Sequence, residues 1–366
     1  MLCRKHVKTS QHLLDAEERR SAVGEQYSAT ERDLSGMTVL LADDVITTGS
    51  TLCCCASLLK QMGAARVICA AAATSNKVVF YLKSNTKVAA IHDLSGVGRC
   101  SLTVILPTLS AMGIQVCPVP TAILSTHTGG FGDVVMRDLT DYMSPALEHY
   151  KRFDMDFDCI YSGFLASTDQ IDHCLEFFSG YPKALKVVDP VMADHGKPYK
   201  TCTAELRRRM GELVAVADII TPNMTEAAIL LGEDPNLLPR SASEMKSILV
   251  RLSKLGPKIV VITSAFICGE CCNVGYDSEH NKFWKVPYVQ VNASYPGTGD
   301  VFASVLTGAV LRGDSLPIAM NRAASFLELA IKTTYSYCTD PREGIMLERC
   351  LGFLIDNPNL CDYETL

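Results

Sequence analysis

Apolar and polar residues alternate in blocks along most of the chain. Between residues 87 and 356, short apolar runs are separated by longer segments in which apolar residues recur at helical spacing. Such runs, bounded by polar or glycine-containing turns, are typical of strands buried on both faces. The pattern predicts an α/β fold with a mostly parallel sheet covered by helices on both faces. The predicted strands are residues 87–92, 114–120, 121–125, 159–163, 185–188, 219–220 and 259–262.

Three apolar helices are predicted towards the end of this region. Residues 301–312, 317–331 and 343–355 each carry apolar side chains at helical spacing. We expect these helices to pack their apolar faces on the sheet. The alanine- and leucine-rich faces of the last two also suit a homodimer interface.

A shorter strand–helix–strand unit precedes the large region. Residues 37–42 predict a buried strand, a helix ends near Gly63, and residues 66–73 predict a second strand. The polar segment 74–86 separates this unit from the rest. We therefore predict two domains, residues 1–83 and residues 84–366.

Composition narrows the classes of function. A net charge of −6 gives no reason to expect binding to nucleic acid or to a membrane surface. The longest charge-free stretch, residues 100–132, is broken by three prolines, so we expect no membrane span. The sixteen cysteines lack zinc-site spacing, and no apolar signal core follows the first residues. We therefore expect a cytoplasmic protein with reduced thiols.

Residues 294–300, with the sequence Ser-Tyr-Pro-Gly-Thr-Gly-Asp, open the predicted helix 301–312. Two glycines allow the backbone to turn with its N–H groups outward, and a helix N-terminus favours anions. Asp300 would repel a resting phosphate, but it could accept a proton from an attacking hydroxyl group. The combination indicates phosphoryl transfer from a nucleotide to an alcohol. The alternative is an ordinary acidic residue in a helix's first turn.

Carboxylates, an amide and hydroxyls are concentrated just after three of the predicted strands. The carboxyl ends of parallel strands line one crevice, so these groups are expected to share a site. Oxygen ligands beside phosphates suit a hydrated Mg²⁺ ion. A helix capping box is the alternative for Asn223 and Glu226. The residues concerned are Asp189, Asp194, Asn223, Glu226, Thr263 and Ser264.

Five ordered blocks resemble the ribokinase superfamily, and within it the pyridoxal kinase family. The resemblance implies a ribokinase-like fold and ATP-dependent phosphorylation of the 5′-hydroxymethyl group of a B6 vitamer: pyridoxal, pyridoxamine or pyridoxine. It also implies Mg²⁺ and leaves a monovalent cation open. The blocks are residues 95–98 (Ser-Gly-Val-Gly), 127–129 (His-Thr-Gly), 189–194 (Asp-Pro-Val to Asp), 221–226 (Thr-Pro-Asn to Glu) and 297–300 (Gly-Thr-Gly-Asp).

The same resemblance assigns the chemical step. Asp300 would be the base that deprotonates the vitamer's hydroxymethyl group. The anion hole for the transferring phosphoryl group would be formed by Gly297, Thr298 and Gly299.

The resemblance also assigns the binding of both substrates. Ser95 and Thr128 would bind the polar edge of the pyridine ring, with His127 supporting their loop. Asp189 and Glu226 would hold the metal. The nucleotide-binding set would comprise Asp189, Asp194, Tyr199, Asn223, Glu226, Thr263 and Ser264.

The first unit resembles the ComF-type branch of the phosphoribosyltransferases. An acidic pair and a hydroxyl-rich loop follow its first strand, and in that family they hold the ribose and the 5′-phosphate of phosphoribosyl pyrophosphate. About 36 residues precede the strand, too few for the remaining strands of such a domain. We expect a fusion remnant or an edge that docks on a partner. The vestigial site would comprise Asp43, Asp44, Thr47, Thr48, Gly49, Ser50 and Thr51.

Two further functions stay open from the sequence. A kinase of hydroxymethylpyrimidine shares the scaffold and the alcohol chemistry, although its substrate loop is usually richer in glycine and acids than residues 95–99. A non-catalytic scaffold that senses phosphoribosyl pyrophosphate is the second alternative. His92 ends a predicted strand, and we expect it to fill or rim the core without a catalytic role.

Overall fold

A computed structural model describes residues 2–4, 27–30, 32–46, 50–74, 86–236, 239, 241–291, 293–355 and 364–365. The chain divides into two compact units, Met1–Ser84 and Asn85–Leu366. The boundary expected after residue 83 falls on residues outside the described ranges. The assignment of one domain to each side of it stays a prediction.

The described residues of the first unit form two small sheets and one helix. Its strands β3 (Thr38–Ile46) and β4 (Arg66–Thr74) are parallel and pair along their whole length, as the strand–helix–strand pattern predicts. A small core of Leu34, Leu59 and Ala64 lies beneath the helix. The elements are β1 (Leu2–Arg4), β2 (Tyr27–Ala29), β3 (Thr38–Ile46), α1 (Ser50–Gln61) and β4 (Arg66–Thr74).

The second unit is built on a ten-stranded sheet. Its strands are β5 (Lys87–Val97), β6 (Gln115–Thr126), β7 (Met136–Asp138), β8 (Cys159–Ser162), β9 (Leu185–Val188), β12 (Ile219–Ile220), β13 (Ile259–Ile267), β14 (Glu270–Asp277), β15 (Lys282–Pro287) and β16 (Glu364–Thr365); a separate hairpin is formed by β10 (Ala193–Asp194) and β11 (Lys197–Pro198). The central strands, in the order β6-β5-β8-β9-β12-β13, are parallel, and antiparallel strands extend both edges.

Helices cover both faces of this sheet, as predicted. Residues of β5 alternate between two apolar cores: Val88 faces one and Ala89 faces the other. The first core contains α2 (Leu102–Ala111), α8 (Thr298–Leu311), α9 (Leu316–Tyr337) and α10 (Gly352–Ile355); the second contains α3 (Thr140–Arg152), α4 (Asp169–Gly180), α5 (Ala204–Val214), α6 (Met224–Leu231) and α7 (Ala242–Ser253). Within the described part of the chain, no helix has the length and apolar character to cross a bilayer.

The helix predicted over residues 343–355 is wrong. Two 3₁₀ turns, Pro341–Glu343 and Leu347–Arg349, precede the four-residue α10. Gly344 adopts a left-handed φ of 76°, which a continuous helix excludes. The carbonyl of Glu343 accepts a hydrogen bond from the N–H of Arg99 at 3.0 Å, so a tertiary contact replaces the helical bond.

The runs at 114–120 and 121–125 form one strand, β6, rather than two. Pro118 and Pro120 lie in it, and neither can donate to a neighbouring strand. They are accommodated because β7 pairs only with residues 122–124, which leaves the outer side of β6 unpaired at the prolines.

Candidate active site

The N-terminus of α8 is shaped by a glycine turn. Gly297 has a φ of 80°, and a Cβ atom there would lie 2.1 Å from the carbonyl oxygen of Arg99. Only glycine fits this conformation and this approach. The first helical hydrogen bond runs from the N–H of Val301 to the carbonyl of Gly297, so the N–H groups of the preceding turn have no partner within the helix.

Asp300 lies in this first turn with 13% of its side-chain surface exposed. Its Oδ2 atom accepts a hydrogen bond of 2.8 Å from the backbone N–H of Ser101. Burial raises the pKa of Asp300 to about 7, the Ser101 N–H opposes the rise, and the nearby charge of Asp93 adds to it. A carboxyl group with this pKa is suited to accept a proton near neutral pH.

A cavity of about 510 Å³ opens at the carboxyl ends of the parallel strands and contains Asp300. Its volume is in the range that small-molecule sites occupy. The structure brings together here all predicted catalytic and nucleotide-binding residues. They are Asp189, Asp194, Tyr199, Asn223, Glu226, Thr263, Ser264, Gly297, Thr298, Gly299 and Asp300.

Asp189 and Glu226 are both buried, and both line this cavity. Burial raises the pKa of Asp189 well above its usual value, and the charges of Glu226 and Asp300 add to the effect. Burial also raises the pKa of Glu226 to about 8, although backbone N–H groups donate to it. Three carboxyl groups thus share a poorly hydrated space, where a cation would favour their ionised forms.

Glu226 also forms the capping box that the sequence left as an alternative. The Asn223 side chain accepts from the N–H of Glu226, and Glu226 Oε2 accepts from the N–H of Asn223, both at 2.9 Å. Glu226 Oε1 accepts a further bond of 3.0 Å from the N–H of Met192. Oε1 also accepts a longer bond of 3.5 Å from the N–H of Ala193, whereas Oε2 keeps a second lone pair, so capping does not exclude a role beside a metal.

The donor set suits Mg²⁺ held largely through water. The described residues contain no cluster of three or more side chains arranged to bind a metal directly. Mg²⁺ commonly keeps several waters and uses one or two carboxylates together with substrate phosphates. Asp189 and Glu226 supply that number of carboxylates, so the residues present fit the predicted ion.

The β10–β11 hairpin forms one wall of the cavity. Asp194 lies in it, and Tyr199 follows it with its backbone N–H bonded to the carbonyl of Met192 at 2.9 Å. At the end of the hairpin, the N–H of Gly196 donates to the Thr225 hydroxyl at 2.9 Å. Asp194 and Tyr199 therefore reach the cavity from a hairpin bound to the start of α6.

Thr263 and Ser264 lie at a β-bulge in β13. The register with β14 shifts between Ile262 and Ala265, and Ser264 has a φ of 54°. The buried side chain of Asn273 accepts a bond of 3.1 Å from the N–H of Ser264 and holds the bulge. The bulge turns both hydroxyl residues towards the cavity.

The predicted ring-binding residues lie in a neighbouring group. Among the described residues, Ser95, His127 and Thr128 are not part of the cavity wall. The buried Ser95 hydroxyl donates to Asp93 at 3.1 Å, whereas Thr128 is exposed. His127 Nδ1 accepts from the N–H of Gly129, so Nε2 carries the proton and donates to the carbonyl of Arg342 at 2.6 Å. His127 therefore ties its loop to the carbonyl of Arg342, and its role in supporting the ring-binding residues stays a prediction.

Sequence reasoning missed several residues of the site. Asp93, within β5, acts on Asp300 through its charge, and Ser101, in the segment after β5, donates its backbone N–H to Asp300. Asp93 could have been identified from the sequence as an acidic residue after a predicted strand. The Ser101 contact could not, because it is made by the backbone and does not depend on the residue type. An apolar wall on one face of α9 was also missed. It consists of Ala324, Leu327 and Ile331.

The predicted phosphoribosyl pyrophosphate site falls partly outside the described residues. Asp43 and Asp44 lie in β3, near its carboxyl end, and Ser50 and Thr51 open α1. Residues 47–49, which are Thr47, Thr48 and Gly49, lie outside the described ranges. The vestigial site stays a prediction.

Comparison with known proteins decides the family. A profile of the family described as phosphomethylpyrimidine kinase matches residues 106–342. The chain belongs to this family. A profile of the phosphoribosyl transferase domain matches residues 7–87, so the relationship expected for the first unit is confirmed.

Solved structures agree with this family and with its pyridoxal kinases. A Bacteroides thetaiotaomicron protein assigned as a phosphomethylpyrimidine kinase, crystallised with pyridoxal, is 42% identical with a TM-score of 0.74, over 77% of this chain and 100% of that one. Pyridoxal kinase from Lactobacillus plantarum is 31% identical with a TM-score of 0.69, over 74% and 97% of the two chains. The ribokinase-like fold and the similarity to pyridoxal kinases are confirmed.

A curated relative points to the thiamine side of the family. The thiamine biosynthetic bifunctional enzyme TH1 of Arabidopsis thaliana is 27% identical over 228 residues, which is 62% of this chain. The match spans 42% of that longer protein.

The two glycines before Asp300 are expected to respond differently to alanine. Gly297→Ala should lower the free energy of unfolding by at least about 2 kcal/mol, because it strains a left-handed residue and meets the Arg99 carbonyl. Gly299→Ala has no atom within 4 Å of the added Cβ and should leave thermal stability unchanged or higher. Because Gly299 lines the cavity, the same variant should lower kcat/KM for ATP by about tenfold or more.

Thermal melting and steady-state kinetics of both variants test this pair. Equal loss of stability in the two would contradict the steric difference. Unchanged kinetics in Gly299→Ala would show that no substrate group approaches this turn.

Proposed function

We propose that the protein transfers the γ-phosphoryl group of ATP to the 5′-hydroxymethyl group of pyridoxal, pyridoxamine or pyridoxine. One observation carries the proposal. Asp300, a buried carboxyl group with a pKa raised to about 7, lies at the N-terminus of α8 in the cavity that contains Asp189 and Glu226. A proton acceptor, outward N–H groups and acidic groups for a metal are thus adjacent, as phosphoryl transfer to an alcohol requires.

The identity of the acceptor is supported by relatives named for pyridoxal or crystallised with it. The rival acceptor is hydroxymethylpyrimidine, which the family description and the thiamine biosynthetic relative favour. Both alcohols require the same base and anion hole, so the catalytic geometry does not separate them. The ring-binding residues around Ser95 are where the two substrates would be distinguished.

The chemical step begins with the proton. Asp300 takes the hydroxyl proton of the substrate while its Oδ2 atom stays hydrogen-bonded to the Ser101 N–H. The alcohol oxygen forms a bond to the γ-phosphorus, and the bond from that phosphorus to the β–γ bridging oxygen breaks. ADP leaves with the electron pair of the broken bond, and the proton stays on Asp300 until solvent removes it.

The charge that develops on the phosphoryl oxygens is met by the first turn of α8. The N–H groups of Thr298 and Gly299 are free of intrahelical partners and lie at the positive end of the helix dipole. Asp189 and Glu226 would hold Mg²⁺, which when bound neutralises phosphate charge. The described residues thus supply positioning and electrostatics, which carry most of the catalysis in this reaction class.

The remaining contacts concern binding. The apolar face of α9, with Leu327 and Ile331, suits the adenine base of ATP. Ser95 and Thr128 bind the pyridine ring in this proposal, and His127 keeps their loop in place. The homodimer, the cytoplasmic location and the monovalent cation stay predictions.

The substrate assignment is tested by a coupled assay of ADP release across the three B6 vitamers and hydroxymethylpyrimidine. We expect the highest kcat/KM with a vitamer. A higher value for hydroxymethylpyrimidine would transfer the assignment to the rival. ATP hydrolysis that no alcohol stimulates would contradict both kinase assignments.

Asp300→Asn should lower kcat by about 10²–10⁴, because the amide keeps the shape but does not accept the proton. Thermal stability should be retained, since a neutral amide avoids the cost of burying a charge. Circular dichroism melting and steady-state kinetics with the preferred vitamer measure both quantities. Turnover close to wild type would refute the role of Asp300 as base.

The pH profile should report the same group. Because burial raises the pKa of Asp300 to about 7, the base is protonated below that pH and kcat/KM falls as pH decreases. At pH 6 about a tenth of the molecules carry the ionised base, so activity should be about a tenth of its plateau. Profiles for all three vitamers separate this acid limb from substrate ionisation, which differs between them. A limb near pH 4 would contradict the raised pKa.

A further inference from the structure

His92 lies in the middle of β5, beside the candidate base. Ile91 pairs with Ser162, and Ser162 pairs with Val188, so the next row along the sheet is His92, Gly163 and Asp189. Residues of one row on adjacent strands point to the same face. That face is the one on which α8 packs, because Val88 of β5 shares its core with α8. His92 therefore lies beneath the N-terminus of α8.

The imidazole ring of His92 is held on two sides. A Cβ atom on Gly163 would lie 1.8 Å from Cε1 of the ring, so the ring occupies the space that a side chain at position 163 would take. On another side, the ring meets Tyr161 edge-on, with centroids 4.6 Å apart and an interplanar angle of 67°. The sequence expectation that His92 fills space agrees with this packing.

Packing leaves the two ring nitrogens unexplained. His92 is fully buried, and neither Nδ1 nor Nε2 has a hydrogen-bond partner among the described residues. Buried polar atoms without partners are rare and costly, and they are often found at functional sites. The carboxylate of Asp300 is nearby, with its Oδ1 atom 3.9 Å from His92 Nδ1.

Asp300 presents one oxygen to each of two elements. Its Oδ2 atom is held by the Ser101 N–H at 2.8 Å, and its Oδ1 atom faces His92. A separation of 3.9 Å is too long for a hydrogen bond, but catalytic contacts are often long without substrate and shorten in the reactive complex. A small movement of α8 towards β5 would close the gap.

We propose that His92 is a positioning residue for Asp300, with its neutral Nδ1–H directed at Oδ1 so that the carboxylate is fixed for the proton transfer. The inference rests on the proposed function. Held at Oδ2 by Ser101 and at Oδ1 by His92, the carboxylate keeps one orientation, and its remaining lone pairs are available for the hydroxyl proton.

The protonation state of His92 suits this role. Burial lowers the pKa of His92 to about 3, so the ring is neutral at working pH and has a single N–H to donate. Besides His92, the ionisable groups that the described residues place around Asp300 are acids, phenols and a thiol. They are Asp93 in β5, Cys100 after β5, Tyr161 in β8, Asp189 after β9 and Tyr199 after the hairpin, with Glu226 of α6 beyond Asp189. A neutral donor orients the base without the strong loss of basicity that a cation would cause.

Two substitutions separate positioning from packing. His92→Gln keeps an N–H donor of similar reach, whereas His92→Leu fills the space without one. We expect His92→Leu to lower kcat about 10- to 100-fold with KM for both substrates changed less than about threefold, because the lost contact acts on the base. His92→Gln should recover most of that loss. Equal losses in the two variants, or a wild-type kcat in His92→Leu, would overturn the proposal.

A measurement that needs no activity uses the wild-type chain. With ¹⁵N-labelled histidine, NMR shifts should show His92 neutral between pH 6 and pH 8, with the proton on Nδ1, and His92→Gln assigns the signal. Asp300→Ala should change the Nδ1 shift. A proton on Nε2, both with and without the ATP analogue AMP-PNP, would overturn the inference even if His92→Leu does not fold. If the wild-type protein showed no kinase activity, the proposed function would instead be overturned.

Discussion

The chemistry of the candidate active site depends on the free-energy cost of burying the ionised carboxylate of Asp300. Asp300 is largely removed from water, and its pKa therefore rises to about 7, where it can gain and lose a proton. Its ionised form is kept accessible by one backbone donor, the N–H of Ser101. That donor is close only because Gly297 allows the backbone at Arg99 to approach the start of α8. A single glycine turn thus sets the geometry and the acidity of the proposed base.

The site could be predicted from sequence where it depends on strand ends. Asp189, Asn223 and Thr263 follow buried apolar runs, and the parallel-sheet rule is enough to bring them to one crevice. The glycine turn before Asp300 was visible for a similar reason, since left-handed backbone needs glycine. The alternation of strands and helices gave the fold class, because both cores require apolar faces at fixed periods.

The rest depends on contacts between distant segments. The turns at 341–349 replace a predicted helix because the backbone N–H of Arg99, distant in sequence, donates a hydrogen bond to the Glu343 carbonyl. The hydrogen bond from Ser101 to Asp300 and the one from Ser264 to Asn273 both depend on tertiary packing. Local periodicity in the sequence does not encode such contacts. Glu226 shows a further difficulty: the same residue satisfies a capping box and lines the cavity, so its structural and chemical signals coincide.

The attachment of the β10–β11 hairpin to α6 has a consequence for nucleotide entry. The hairpin is tied at its base through Glu226 and Met192 and at its end through Thr225 and Gly196. Its backbone is therefore already ordered before a ligand arrives, and little conformational freedom remains to be lost on association. This side of the cavity is a preformed wall rather than a closing loop. Under the proposed function, ATP binding would therefore cost little loss of conformational freedom in the hairpin.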